Sequence, residues 1–121
     1  MIKKEPDKKT IEKIILLYNQ KNYLEAIDFS SKILKEYPDS ILVNNISGVI
    51  HTELKNYILA KKIFIKVVSL SPKYNDGYYN LANIYNKLGE EDKAIENYKK
   101  VIDIDQNYYK AYNNLGNIFR K

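Results

Sequence analysis

The chain contains no cysteine and no tryptophan. Without cysteine there is no disulfide framework, no thiolate metal site and no cysteine nucleophile. Histidine occurs once, as His51. Three prolines and four glycines are too few for a linker-rich or collagen-like chain. Long apolar runs are also missing. The first apolar cluster, Ile14-Ile15-Leu16-Leu17, is four residues long. A secretory signal needs roughly 7–15 such residues and a membrane span about 20. The expectation is a soluble, cytoplasmic protein with no membrane segment. No acidic pair, serine motif or glycine-rich phosphate loop has a convincing context. The chain therefore reads as a non-enzyme, with no catalytic residue, no metal site and no cofactor.

What is present suits one compact unit of 121 residues, with 45% hydrophobic and 29% charged residues. Side chains recur every 34 residues. Pro38 and Pro72 share this interval, as do Ala26, Ala60 and Ala94. So do Gly48, Ala82 and Gly116, and Ile33, Val67 and Val101. Tyr78 to Tyr85 aligns with Tyr112 to Phe119 at the same spacing. Several independent columns in register make a repeat. Within each unit the apolar residues follow a helical period: Ala94, Tyr98 and Val101 stand at i, i+4 and i+7. Gly89 suits the left-handed conformation that ends a helix. Glu91 and Asp92 place negative charge at the start of the next one. Lys21-Asn22 and Lys55-Asn56 break the first two units, with asparagine as the expected N-cap, and Ser40 is a further cap. Helices are expected over 8–20, 23–36, 41–54, 57–70, 75–88, 91–104 and 109–120, and no sheet.

A 34-residue helix–turn–helix unit resembles the tetratricopeptide repeat. Units starting at Asp7, Ile41, Asn75 and Tyr109 align with its pattern of large and small residues. The third fits best, through Tyr78, Leu81, Ala82, Tyr85, Ala94, Tyr98 and Val101. The second offers Gly48, His51, Ala60, Phe64, Val67 and Pro72. His51 occupies a slot usually filled by a packed aromatic and is read as a core or partly buried histidine. Unit one departs at Lys13 and Ile14, so its two helices should pack less closely. Unit three has Gln106 where proline is usual. The resemblance implies an all-α fold, an α-α superhelix of about three and a half repeats and seven helices. It forms a single domain over 1–121, with units 7–40, 41–74 and 75–108 and a half unit 109–121. Small residues should let paired helices approach, Gly48 facing Ala60 and Ala82 facing Ala94.

The resemblance also implies a protein-interaction scaffold, with first helices lining a groove. Its lining would be Lys8, Ile11, Ile15, Tyr18 and Asn19 in unit one, and Leu42, Asn45, Val49, Thr52 and Glu53 in unit two. Unit three supplies Asp76, Tyr79, Asn83, Asn86 and Lys87. The last helix supplies Lys110, Asn113, Asn117, Arg120 and Lys121. The N-terminal part is apolar and the C-terminal part is rich in amides and cations. The expected partner-binding residues are Tyr79, Asn83, Asn86, Lys87, Lys110, Asn113, Asn117 and Arg120. Asparagine both donates to and accepts from a peptide backbone, and Lys and Arg favour carboxylates. The expected partner is a protein or peptide with an apolar and an acidic part. The competing explanation is a solvated face shaped by a compositional bias towards Lys, Asn, Ile and Tyr.

Some relatives clamp a chaperone's C-terminal carboxylate with Lys, Asn, Asn, Lys and Arg. The aligned residues are Asn45, Val49, Asn80, Lys110 and Asn114. Only Asn80 and Lys110 match, which disfavours a chaperone-tail adaptor. Residues 41–74 carry five bases and only Glu53, while residues 75–108 carry four bases and seven acids. Lys61, Lys62 and Lys66 could attract nucleic acid, but the acidic third unit would repel phosphates, so that reading is disfavoured. Leu115 and Phe119 occupy slots that a further helix would cover. Two readings follow: the chain is a piece of a longer repeat array, which is the favoured expectation, or the exposed edge associates with another chain, which makes self-association through residues 109–121 into a homo-oligomer the alternative function.

Overall fold

A computed structural model describes residues 4–120. Lys121, placed in the lining by the sequence, lies outside them. Seven helices form: α1 (Lys8–Asn19), α2 (Tyr23–Glu36), α3 (Ile41–Glu53), α4 (Tyr57–Leu70), α5 (Asn75–Lys87), α6 (Glu91–Ile104) and α7 (Tyr109–Phe119). Every expected helix is present, with ends within one residue, and no strand occurs among the described residues. The fold is an all-α helical repeat. None of these helices is long and apolar enough to cross a membrane.

The turn inside each hairpin has one geometry. Lys21, Lys55 and Gly89, each 34 residues apart, take φ of 61°, 64° and 78°. The following amide closes a wide loop in each: Asn22 N donates to Leu17 O, Asn56 N to His51 O, and Glu90 N to Tyr85 O, at 2.9, 2.9 and 2.8 Å. The left-handed residue itself donates to Tyr18 O, Thr52 O or Asn86 O. This double closure is the Schellman motif, and it needs a residue tolerant of positive φ. Gly89 meets that need at low cost, whereas lysine carries about 1–2 kcal/mol of strain there. Glycine's extra freedom in the unfolded chain offsets part of the difference. Lys55→Gly should therefore stabilise the chain by about 0.5–1 kcal/mol in urea unfolding. A midpoint that falls would contradict this account of the turn.

The caps correct one expectation. Ser40 caps α3 as expected, its hydroxyl accepting from Val43 N at 3.0 Å. Asp7 caps α1 by accepting from Thr10 N. Asn22 stands at the N-cap position of α2 but makes no side-chain cap bond, and its amide donates to Gln20 instead. The amide of Asn56 faces His51 Nδ1 at 3.4 Å. The cause at Asn22 is backbone: its ψ of 64° follows from the preceding left-handed lysine. Asp7 and Ser40 have the extended ψ that aims a side chain back at the helix. Glu5 adds a cap the sequence did not suggest. Its carboxylate accepts from Ser40 Oγ at 2.5 Å and from Ile41 N at 2.7 Å, at the positive end of α3.

The chain forms two compact units that divide between Ile63 and Phe64, inside α4. In the first, α1 packs on α2 and α3, and α2 on α3. Ile14, Ala26, Val43 and Ile50 are fully buried in its core. Ile14 fills the slot of a small residue, and the α1–α2 contact is much less extensive than that of α5 with α6. Ser30 stands where the later repeats have Phe64 and Tyr98, and its buried hydroxyl donates to Ile27 O. Gly48 and Ala60 are both buried. His51 is half-buried, and burial lowers its pKa. In the second unit, α5 packs on α6 and α6 on α7. Ala82 and Ala94 lie in one core with Tyr98, Val101, Ala111, Leu115 and Ile118. Gln106 costs the last loop little, because the Asp105 carboxylate accepts from Asn107 N at 2.9 Å and closes the turn.

Candidate functional site

On α7, Lys110, Asn113, Asn117 and Arg120 follow one another by three, four and three residues, and so share a helix face. On α5, Tyr79, Asn83, Asn86 and Lys87 stand at i, i+4, i+7 and i+8 and also share a face. Side-chain bonds join the two faces. Asn114 Nδ2 donates to Asn83 Oδ1 at 3.0 Å and to the Tyr79 hydroxyl at 3.1 Å. The Tyr98 hydroxyl, from α6, donates to the same Asn83 oxygen and lies 3.3 Å from Asn114 Nδ2. Tyr79 packs tilted against Tyr98 and Tyr108, with ring centroids 6.1 and 5.1 Å away. Tyr108 donates its hydroxyl to Asp76 Oδ1 at 2.7 Å. Asp76 meets Tyr108 and Asn83 meets Asn114, so α5 and α7 run in the same direction.

These contacts divide the eight expected partner-binding residues into groups. Tyr79 and Asn83 are half-buried and engaged in the network, so they hold α5 and α7 together rather than offering free donors. Asn86 is half-buried, and its amide oxygen is closed to solvent without accepting a hydrogen bond. Lys87, Lys110, Asn113, Asn117 and Arg120 are exposed. Arg120 donates to Asn117 Oδ1 and, at 3.3 Å, to Gly116 O. Those bonds direct the guanidinium along α7. Lys87 is the last residue of α5 and Arg120 the C-cap of α7, so each of these two helices ends on a cation.

Desolvation raises the pKa of two hydroxyls of the network, those of Tyr98 and Tyr108. Burial pushes the Tyr98 hydroxyl up to about 12, against a smaller opposing effect from the Asn114 bond. Burial, followed by the bond to the Asp76 carboxylate, also raises the Tyr108 pKa. Both phenols are donors at neutral pH, as any tyrosine is, and the raised values extend that state to higher pH.

The first unit treats its expected lining unevenly. Ile15 and Leu42 are exposed, while Ile11 and Val49 are half-buried. Asn45, expected in the lining, is buried. The Thr52 hydroxyl turns back to Gly48 O at 2.8 Å. Burial and the neighbouring Glu53 carboxylate raise the pKa of Tyr18. No group of three or more metal-ligating side chains occurs among the described residues.

Sequence reasoning missed Asn114 and Tyr98 as bridging residues. The available signal was the recurrence of asparagine at Asn80 and Asn114, 34 residues apart.

Three family models described as the tetratricopeptide repeat match residues 14–40, 43–74 and 76–108. Among solved structures, the first such domain of Spaghetti (RPAP3) bound to the HSP90 peptide SRMEEVD is 23% identical, with a TM-score of 0.87 over 92% of this chain and 88% of that one. The first such domain of human RPAP3 is also 23% identical, with a TM-score of 0.87 over 92% of this chain and 87% of that one. MamA from residue 41 to its end, from Desulfovibrio magneticus RS-1, is 28% identical, with a TM-score of 0.81 over 88% of this chain and 60% of that one. The search of curated proteins returned no match.

Proposed function

Because the chain belongs to the tetratricopeptide repeat family, we propose that it is a non-catalytic scaffold whose α5–α7 face binds an acidic segment of another protein. The observation that carries this reading is the Asn114 bridge to Tyr79 and Asn83. It joins two helix faces in the second unit into one surface. Lys87 and Arg120 then supply positive charge at one end, where an acidic side chain or a terminal carboxylate is favoured. Asn113 and Asn117 supply donors and acceptors for an extended backbone. Lys110 stands near the other end, where the Tyr108–Asp76 bond occupies the acid.

A domain of the same fold is bound to a peptide reading SRMEEVD, which supports an acidic ligand. The mode proposed here is not that of a chaperone-tail clamp. Asn114 falls at the clamp's arginine position and is spent on Tyr79 and Asn83.

Selection of binders from a random peptide display library tests the proposal. Peptides rich in Asp and Glu should be enriched on the wild-type chain. Their affinity should fall at least about tenfold, or 1.4 kcal/mol, in the variant Lys87→Glu/Lys110→Glu/Arg120→Glu. Selected peptides without acidic bias, or with unchanged affinity for the variant, would refute it. Self-association through 109–121 is favoured by one observation: Tyr109, Tyr112 and Phe119 are 72%, 45% and 64% exposed. A dimer in sedimentation velocity that Phe119→Lys disperses would carry that second reading, and a monomer at high concentration would end it.

A further inference from the structure

Tyr18, Thr52, Asn86 and Arg120 stand in one column of the 34-residue repeat, each at the C-terminal end of a repeat's first helix. Three of them use their polar atoms inside the chain. The Tyr18 hydroxyl bonds the Glu53 carboxylate. The Thr52 hydroxyl donates to Gly48 O at 2.8 Å, and Arg120 Nε donates to Gly116 O at 3.3 Å. The equivalent carbonyl for Asn86 is that of Ala82, four residues back. The Asn86 amide oxygen cannot use it, because two carbonyls only accept. That oxygen accepts no hydrogen bond and is closed to solvent. An acceptor left in this state costs the fold stability. Asn75, the first residue of α5, has another such oxygen, but it lies at the end of α5 away from Lys87.

Asn86 shares its helix face with Tyr79, Asn83 and Lys87. Asn114 already engages Tyr79 and Asn83, so the fold has a use for those two and none for the Asn86 oxygen. Asn86 as a whole is half-buried rather than enclosed. Its terminal amide turns about a broad, two-fold torsion. A half-turn exchanges the oxygen and the NH2 and brings the acceptor to the side a ligand approaches. We propose that Asn86 reads the main chain of the segment bound on the α5–α7 face, its amide oxygen accepting a peptide N–H. This rests on the binding reading given above and adds a group that responds to backbone rather than to charge. Every residue except proline carries that N–H. The contact therefore tolerates changes of ligand sequence, while Lys87, Lys110 and Arg120 select carboxylates.

Fluorescence anisotropy on the full chain, with two labelled probes, tests this. One probe is octaglutamate with both ends blocked. The other is the same peptide methylated on every backbone nitrogen, which keeps the charge and removes the N–H donors. Asn86→Leu should weaken octaglutamate binding at least about fivefold and the methylated probe less than about twofold. Asn86→Thr should do the same, its hydroxyl turning back on Ala82 O as that of Thr52 does on Gly48 O. It serves in place of Asn86→Leu if that variant melts early. At least one of the two should melt at or above the wild-type temperature, because the orphaned acceptor is gone. Early melting of both would show that the amide is used by the fold, and would overturn the inference. Equal loss of the two probes, as an ordered water on Asn86 would give, or no loss of either, would also overturn it. Lys87→Glu/Lys110→Glu/Arg120→Glu should weaken both probes. If it does so while the Asn86 variants bind as wild type, the acidic-segment reading stands and the role of Asn86 falls. A wild-type chain that binds neither probe would end both.

Discussion

Replacing Ala94 with leucine should destabilise the chain by about 1–3 kcal/mol. Taking about 4 °C per kcal/mol for a chain of this size, its thermal midpoint should drop by roughly 4–12 °C. Ala94 and Ala82 are both completely buried and belong to one core cluster. The α5–α6 contact has no room for three extra carbons without moving a helix or forcing a rotamer. The same alanine recurs at Ala26 and Ala60, each also fully buried. Gly116 gives the contrasting case. It occupies the column of Gly48 and Ala82, yet a Cβ added there meets nothing within 4 Å. Gly116→Ala should therefore stabilise α7, by up to about 1 kcal/mol of helix propensity. Differential scanning calorimetry of the two variants checks both directions. A midpoint unchanged by Ala94→Leu would contradict the close approach.

Tyr98→Ala should cost more, about 3–5 kcal/mol. The ring is 1% exposed, so truncation leaves a cavity among Ala82, Val101 and Leu115, members of the same core. It also removes the hydroxyl that donates to Asn83. Tyr98→Phe separates these contributions. It keeps the ring and removes only the hydroxyl, at about 1–2 kcal/mol. Urea unfolding of the pair should rank wild type, Phe and Ala in that order. Equal stability of Tyr98→Phe and wild type would show that the Tyr98 hydroxyl's bond to Asn83 adds nothing to the stability of the second unit.

The helices were legible because their period is written twice, once as the 3.6-residue spacing of Ala94, Tyr98 and Val101 and again as the 34-residue recurrence of whole columns. The turns were only half legible. Gly89 announces a left-handed position through its lack of a side chain. Lys21 and Lys55 do not, because lysine enters that conformation only when the double backbone closure around it compensates the strain. Their place in the 34-residue column of Gly89 was the one available clue. The asparagine caps failed for a related reason. Residue type indicates what a side chain can bond, while ψ decides whether it points at the helix end, and at Asn22 it does not.

The candidate site was legible as positions on helices but not as contacts. Lys87, Lys110, Asn113, Asn117 and Arg120 are exposed on faces fixed by helical spacing. Tyr79 and Asn83 lie on the expected face too, but what their polar atoms bond depends on Asn114 and Tyr98, 35 and 15 residues further along the chain. Asn114 falls beside the groove-facing positions Asn113 and Asn117 and not on one of them, so the expected lining passed over the residue that joins the two helices. Glu5 is a similar case, since its role as a cap for α3 depends on a contact 35 residues away.

The α5–α7 face is tested most directly by amide NMR of the labelled chain titrated with an acidic peptide from the display selection. Shifts should concentrate at Lys87, Lys110, Asn113, Asn117 and Arg120, with the Asn114 side-chain amide moving along with them. A saturating peptide that leaves those signals in place while perturbing others would contradict the assignment of this face as the binding surface.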